Sequence, residues 1–174
     1  MNRVFIVCGT PGSGKTTYAR RLSVDRHATL LDIDTVTERL VRVELVESGH
    51  SSDDRDSEYF KHTFREPIYE MLFDIARENL PVQDVVIVGP FTREINDPDW
   101  PVKLSTKLAC PIEIHYLQCP PDVRKKRLAS RGDARDQAKL EDWENYILYY
   151  GDENLPVFEH VLIDRSSNTL KKRK

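Results

Sequence analysis

The sequence predicts an α/β fold, a three-layer sandwich in which helices cover both faces of a five-stranded parallel sheet. Two observations carry this. Five apolar runs alternate with stretches of helical periodicity along the 174 residues, and strands joined through helices run parallel because each crossover returns the chain to the same end of the sheet. The first run also stops at a glycine-rich loop that opens straight into a helix. Sheets of this kind bind ligands at such junctions, beyond the carboxyl ends of their strands.

"RVFIVC" (3–8) is a continuous apolar run, as expected of a strand covered on both faces. The loop that follows places Gly9, Gly12 and Gly14 within six residues, which is costly in a strand or helix and useful where the backbone needs φ > 0 or a close approach. In "KTTYARRL" (15–22) Tyr18, Ala19 and Leu22 fall on one helical face. Gly9-x4-Gly14-Lys15-Thr16 has the Walker A spacing, with the required strand before it and helix after it. Backbone N–H groups from Gly9, Thr10, Gly12, Ser13, Gly14 and onward to Thr17, with Pro11, which has no N–H, between them in the loop, make together with the helix N-terminus a positive cradle for a polyphosphate. Lys15 is expected to reach its terminal phosphates and Thr16 to ligate Mg²⁺.

The second run, "TLLDID" (29–34), ends in acids. As a strand it puts Asp32 and Asp34 on one face with Asp34 at the mouth. Asp34 reads either as a base that takes the proton of an acceptor hydroxyl or as the N-cap of a helix starting at Thr35. Asp32 is the candidate to hold Mg²⁺ through water. The polar, aperiodic "SGHSSDDRDSE" (48–58) reads as a mobile segment. From Tyr59 to Ala76 apolar residues recur at four-residue steps, with Pro67 expected to kink or restart the helix.

The third run, "DVVIVGPF" (84–91), ends in Gly89-Pro90 without an acid, and no N-K-x-D element occurs. Both absences count against a motor or a switch that couples hydrolysis to movement. "PIEIHYLQC" (111–119) and "HVLID" (160–164) complete the sheet. Between them, Pro120-Pro121 opens a helix bearing Arg124, Arg127 and Arg131 at i, i+3 and i+7. Three guanidiniums on one face suit a lid, around 120–136, that closes on transferring phosphate, with Arg135 joining beyond the turn. Pairing with neighbouring acids is the alternative. Trp143, Ile147 and Tyr150 have the spacing of a core stripe.

The length suits one domain over 1–174. A 32% charged, 39% hydrophobic composition with net charge −3 does not suit a general nucleic-acid binder. No apolar stretch nears the roughly 20 residues of a membrane span, and no signal peptide is expected. Cys8, Cys110 and Cys119 form no C-x-x-C, which favours a reducing cytoplasm over disulfides or a structural metal. The basic tail "SSNTLKKRK" reads as frayed, with nucleic-acid contact a lesser possibility.

At "GTPGSGKTT", "DIDTV" and "KRLASRG" the chain resembles the small P-loop kinases: gluconate, shikimate and adenylylsulfate kinase, chloramphenicol phosphotransferase, polynucleotide 5′-kinase and the zeta toxins. The resemblance implies strand order 2-3-1-4-5, ATP and Mg²⁺ as cofactors, an acceptor hydroxyl near Asp34, and lid arginines at Arg127 and Arg131. It also points to Thr92 and Arg93, after the third strand, as acceptor contacts. Arg93 then binds an anionic group of the acceptor or pairs with a neighbouring acid. The expected activity is phosphoryl transfer from ATP to a small hydroxyl compound. The alternatives are a polynucleotide or nucleoside/nucleotide kinase, with the lack of basic charge counting against a long nucleic-acid substrate, and an ATP-binding regulatory or assembly protein.

Overall fold

The structure, a computed structural model, describes residues 1–55, 57–150, 154–166 and 171–172, with backbone alone for Ala134, Arg135, Ala138, Tyr149, Tyr150, Lys171 and Lys172. The sheet is built on β1 (Val4–Cys8) and β3 (Val85–Val88), whose residues are all buried. Full burial explains why both read as unbroken apolar runs. β2 (Thr29–Asp32) lies outside β3, β4 (Ile112–Gln118) lies on the other side of β1, and β5 (Val161–Asp164) follows it. These five strands are parallel in the order 2-3-1-4-5. Their register aligns the carboxyl ends: Asp32 stands beside Val88, Cys8 beside Tyr116 and Gln118 beside Asp164.

Alternation along β1 divides the core. Phe5 and Val7 face α1 (Lys15–Arg26) through Tyr18, Ala19 and Leu22. On the opposite face Val4, Ile6 and Cys8 pack with residues of α2 (Ile33–Glu47), α4 (Arg65–Asn79) and α5 (Trp100–Leu108). The short α3 (Glu58–Thr63) precedes α4, and the break falls at Phe64. Pro67 accounts for it, because a continuous helix would drive its ring into the carbonyl of Thr63. The helix thus restarts from Phe64, three residues before the proline, as its sequence context suggests.

Beyond β4, α6 (Pro121–Arg131), α7 (Ala134–Glu141) and α8 (Trp143–Tyr150) gather around Leu128, Trp143 and Tyr146, with Ile147 against them. Trp143 and Ile147 therefore belong to a small core, while the Tyr150 side chain lies outside the described set. The tail departs from the frayed end expected of it: Lys171–Lys172 forms β6, antiparallel to β5. An edge strand leaves a row of unpaired N–H and C=O groups, and a returning chain satisfies them whatever its charge. Residues 167–170 and 173–174 lie outside the described residues. Among the described residues no helix is long and apolar enough to cross a membrane.

Candidate active site

The loop between β1 and α1 is shaped by its glycines. Gly9 has φ 139°, and a Cβ on it would lie 2.7 Å from the carbonyl oxygen of Leu117. Gly14 has φ 89° and ends the loop as the N-cap of α1, with no side chain capping that helix and no acid in its first turn. The first backbone N–H groups of α1 are thus left for an anion, and the helix dipole adds to their field. Ser13 Oγ and Thr10 Oγ1 are buried without a hydrogen-bond partner among the described residues. Buried hydroxyls in that condition are unusual unless a ligand or water completes them.

Lys15 Nζ donates to the carbonyl oxygens of Gly9 and Thr10, at 2.9 and 3.0 Å. Burial pushes this ammonium down to about 8, against Asp34, Cys8 and Asp32, which favour its charge, while Arg131 adds to the depression. The Cys8 thiol beneath it is pushed up to about 12 by burial. Thr16 Oγ1 donates to Asp32 Oδ2 at 2.7 Å, and the other carboxylate oxygen accepts from the Asp34 N–H at 3.0 Å.

That last bond corrects the sequence reading of the second strand. β2 ends at Asp32, and Asp32 rather than Asp34 is the N-cap of α2. An extended Asp whose carboxylate reaches the N–H two residues on starts a helix at once, so Asp34 sits in the first helical turn and the strand-face alternation does not apply to it. The Asp34 carboxylate is 45% exposed and lies 3.5 Å from Arg55 Nη1.

The cleft above the sheet has a volume of about 920 Å³. It is lined by the glycine-rich loop, Lys15, Thr16 and Thr17 on one side, by Asp32, Asp34, Thr92 and Arg93 beyond the carboxyl ends of β2 and β3, and by Arg127 and Arg131 from α6. Of the arginine row, Arg131 Nε donates to the buried Asp136 at 2.9 Å. Arg127 ties the loops together instead, reaching the carbonyl oxygens of Ser13 and Arg165 at 3.4 and 3.1 Å and Cys119 Sγ at 3.1 Å. Arg124 does not line the cleft, contrary to its assignment as a nucleotide contact. It is wholly buried, with its guanidinium 6.0 Å from the Trp143 ring, because the apolar stripe of α6 through Leu128 carries its stem inward. The backbone of α6 at Arg124 presses on Gly12, where a Cβ would lie 3.2 Å from the Arg124 carbonyl. The Arg135 side chain lies outside the described set.

A sequence profile of AAA domains matches residues 4–151. The chain belongs to the AAA domain family. The structure of this AAA domain is similar to an unliganded sugar kinase from Janibacter sp. HTCC2649, with TM-score 0.62 and 16% identity over 96% of this chain and 87% of that one. It is similar also to a gluconokinase from Sinorhizobium meliloti 1021, with TM-score 0.55 and 15% identity over 95% and 83% of the two chains. At such identities the likeness is one of fold, and it bears out the resemblance to small P-loop kinases. No curated protein matches the chain in sequence.

Four residues of the cleft region escaped the sequence reading. Arg55 falls in the segment read as mobile, yet it pairs with Asp34 and, at 2.8 Å, with Glu38. Arg65 and Tyr69 line the cleft from α4. Arg165 lies behind the loop, its Nη2 3.2 Å from where a Cβ on Gly14 would stand, and burial, with Arg127 beside it, lowers its pKa. Arg165 directly follows the last apolar run, so the search of strand ends that found Arg93 would also have found it.

Proposed function

We propose that this AAA domain is a cytoplasmic ATP-dependent phosphotransferase that moves the γ-phosphate to a hydroxyl of a small-molecule acceptor. One observation carries the reading: the glycine-rich loop with Lys15, the acids Asp32 and Asp34, and Arg131 of α6 all line one cleft beyond the carboxyl ends of the strands. A terminal phosphate carried by the loop would enter the cleft that these residues share, which supports the reading.

The unsatisfied hydroxyls of Thr10 and Ser13, the uncapped helix end and the Lys15 ammonium fit a bound polyphosphate. Thr16 and Asp32, an adjacent hydroxyl and carboxylate, are the oxygen donors that would hold Mg²⁺. The ion, when bound, supplies positive charge to the phosphate oxygens. Asp34 accepts the acceptor's proton as the hydroxyl oxygen bonds to the γ-phosphorus and the bond to the β–γ bridging oxygen breaks, leaving ADP. Lys15 and Arg131 offset the charge spread over the transferring oxygens, and α6, resting on Gly12, excludes water from one side. Thr92 and Arg93 orient the acceptor, and Arg127 braces the loop on which the nucleotide rests.

Acceptor-dependent ADP release across a panel of sugars, sugar acids, nucleosides and 5′-hydroxyl oligonucleotides tests the proposal. Stimulation by a small hydroxyl compound is expected. An oligonucleotide as the sole active acceptor would reassign the chain as a polynucleotide kinase, and ATP binding with no active acceptor would make it a nucleotide-binding regulator.

A further inference from the structure

We propose that the acceptor carries an anionic group, carboxylate or phosphate, apart from its reacting hydroxyl, and that Arg65 and Arg93 bind this group with Tyr69 as their positioning residue. The inference rests on the phosphotransferase reading and narrows its acceptor.

Among the described residues, Arg55, Lys61, Arg65 and Arg93 line the cleft together with Asp34 and Asp53. This surplus sits in a chain of net charge −3. Local pairing resolves where it falls. Arg55 is engaged by Asp34 and Glu38, Asp53 by Arg42 at 2.8 Å, and Lys61 approaches Glu58 at 3.4 Å. Arg65 pairs with Glu94 at 2.6 Å. Glu94 being taken, no hydrogen bond or ion pair among the described residues engages the Arg93 side chain. Two guanidiniums thus line the same cleft, and only that of Arg65 has a carboxylate partner among the described residues. A cleft with low-dielectric walls and one sign of charge in excess attracts the opposite sign, and the planar fork of arginine suits a carboxylate or phosphate.

The backbone that delivers Arg93 is strained. Phe91 is a buried aromatic residue with φ 46°, a conformation that L-residues with bulky side chains avoid and that persists only where its surroundings impose it. Tyr69 imposes it. Its hydroxyl accepts the Phe91 N–H at 3.2 Å, and its ring stacks on Phe91 at 4.8 Å with planes 16° apart. Gly89 leaves room for the Phe91 ring, which a Cβ there would meet at 3.0 Å. The same Tyr69 ring carries the Arg65 guanidinium 5.2 Å from its centre. One side chain therefore sets both the turn leading to Arg93 and the place of Arg65. A strained turn held in this way has a use if the loop must present a charge at a definite point.

Two measurements test this. First, with a non-hydrolysable ATP analogue and Mg²⁺ bound, inorganic phosphate and acetate are titrated in the millimolar range while the arginine Nε–Hε resonances are followed. Saturable shifts at Arg65 and Arg93 are expected, lost at Arg65 in Arg93→Gln. Unmoved resonances overturn the inference whatever the acceptor proves to be. Second, acceptors are compared in matched sets: glycerol with glycerate and glycerol 3-phosphate, glucose with gluconate and glucose 6-phosphate. The charged members are expected to exceed their neutral parent at least about tenfold in kcat/KM, and the better of the two charges names the group. Arg93→Gln should erase the difference mainly through KM, Arg93→Lys should restore part of it, and Tyr69→Phe should raise KM for the charged member with little change in kcat. Equal use of neutral and charged acceptors overturns the inference and leaves the phosphotransferase reading standing. Anion-induced shifts without ADP release from any acceptor would overturn the phosphotransferase reading and, with it, the assignment of the anion to an acceptor.

Discussion

Asp32 accepts a hydrogen bond from the Thr16 hydroxyl at 2.7 Å while its other carboxylate oxygen caps the helix that carries Asp34. One side chain thus links the glycine-rich loop to the helix that carries Asp34, the proposed base. The two aspartates can be separated by the same conservative change. Asn caps helices as well as Asp does, so Asp32→Asn is expected to keep the melting temperature and raise the Mg²⁺ needed for half-maximal activity by about tenfold or more. A Mg²⁺ titration of the variant gives the answer directly, and an unchanged midpoint would remove Asp32 from the ion's surroundings.

Asp34→Asn should act differently. Since Asp32 rather than Asp34 is the N-cap of α2, and Asp34 is 45% exposed, its replacement by Asn should cost little stability. Transfer to the acceptor should fall on the order of 10²-fold, the size of a general-base contribution, with ATP affinity retained. Steady-state kinetics beside a nucleotide-binding isotherm would check both halves. Normal transfer in this variant would send the search for a base elsewhere in the cleft.

Nucleotide affinity should depend on pH through Lys15. Its pKa in the folded protein is lowered to about 8 from 10.5. Below pH 8 the ammonium is charged in folded and unfolded chains alike. Between about 8 and 10.5 the unfolded chain holds the extra proton, so this residue makes the ligand-free protein more stable as pH rises. A polyphosphate favours the charged form, so binding above pH 8 takes up a proton and affinity should drop by up to about tenfold per pH unit. Calorimetry in buffers of different ionisation enthalpy would reveal the uptake. Lys15→Ala should lose this dependence, together with about 10²-fold or more in turnover.

The lid arginines are expected to part company. Arg131→Lys, which keeps a cation beside the buried Asp136 but loses the planar fork at the cleft, should lower kcat with little effect on stability. Arg127→Ala deletes a tie between Ser13, Cys119 and Arg165 and should destabilise the fold as well. Thermal melts of the two variants, read beside hydrogen exchange of 121–136 with and without an ATP analogue, separate brace from lid. Equal melting temperatures would return Arg127 to a purely electrostatic role.

Gly9→Ala provides a test of the loop's shape. The added methyl would meet the Leu117 carbonyl at 2.7 Å with φ at 139°. A loss of roughly 2–3 kcal/mol in denaturant unfolding, or failure to accumulate folded protein, is expected. Wild-type stability would mean that the loop relaxes freely.

Much of the site was legible in the chain because its signals are local. A glycine run between an apolar strand and a helix fixes dihedral needs and donor positions within nine residues, so Gly9, Gly14, Lys15 and Thr16 could be assigned from spacing alone. The five-stranded alternation was legible for the same reason: strands buried on both faces are continuous apolar runs, and helices between them carry their own period. Tertiary structure decided the rest. Whether Asp32 or Asp34 caps depends on where the strand stops, which the carboxylate itself sets by reaching a backbone N–H in three dimensions. Three arginines at helical spacing share a face in sequence, yet packing against Trp143 buries one, the loops engage another, and Asp136 holds the third at the cleft. Arg55, Arg65 and Tyr69 line the cleft through tertiary packing, as where Tyr69 of α4 meets Phe91 beyond the end of β3, a long-range contact that no local pattern encodes.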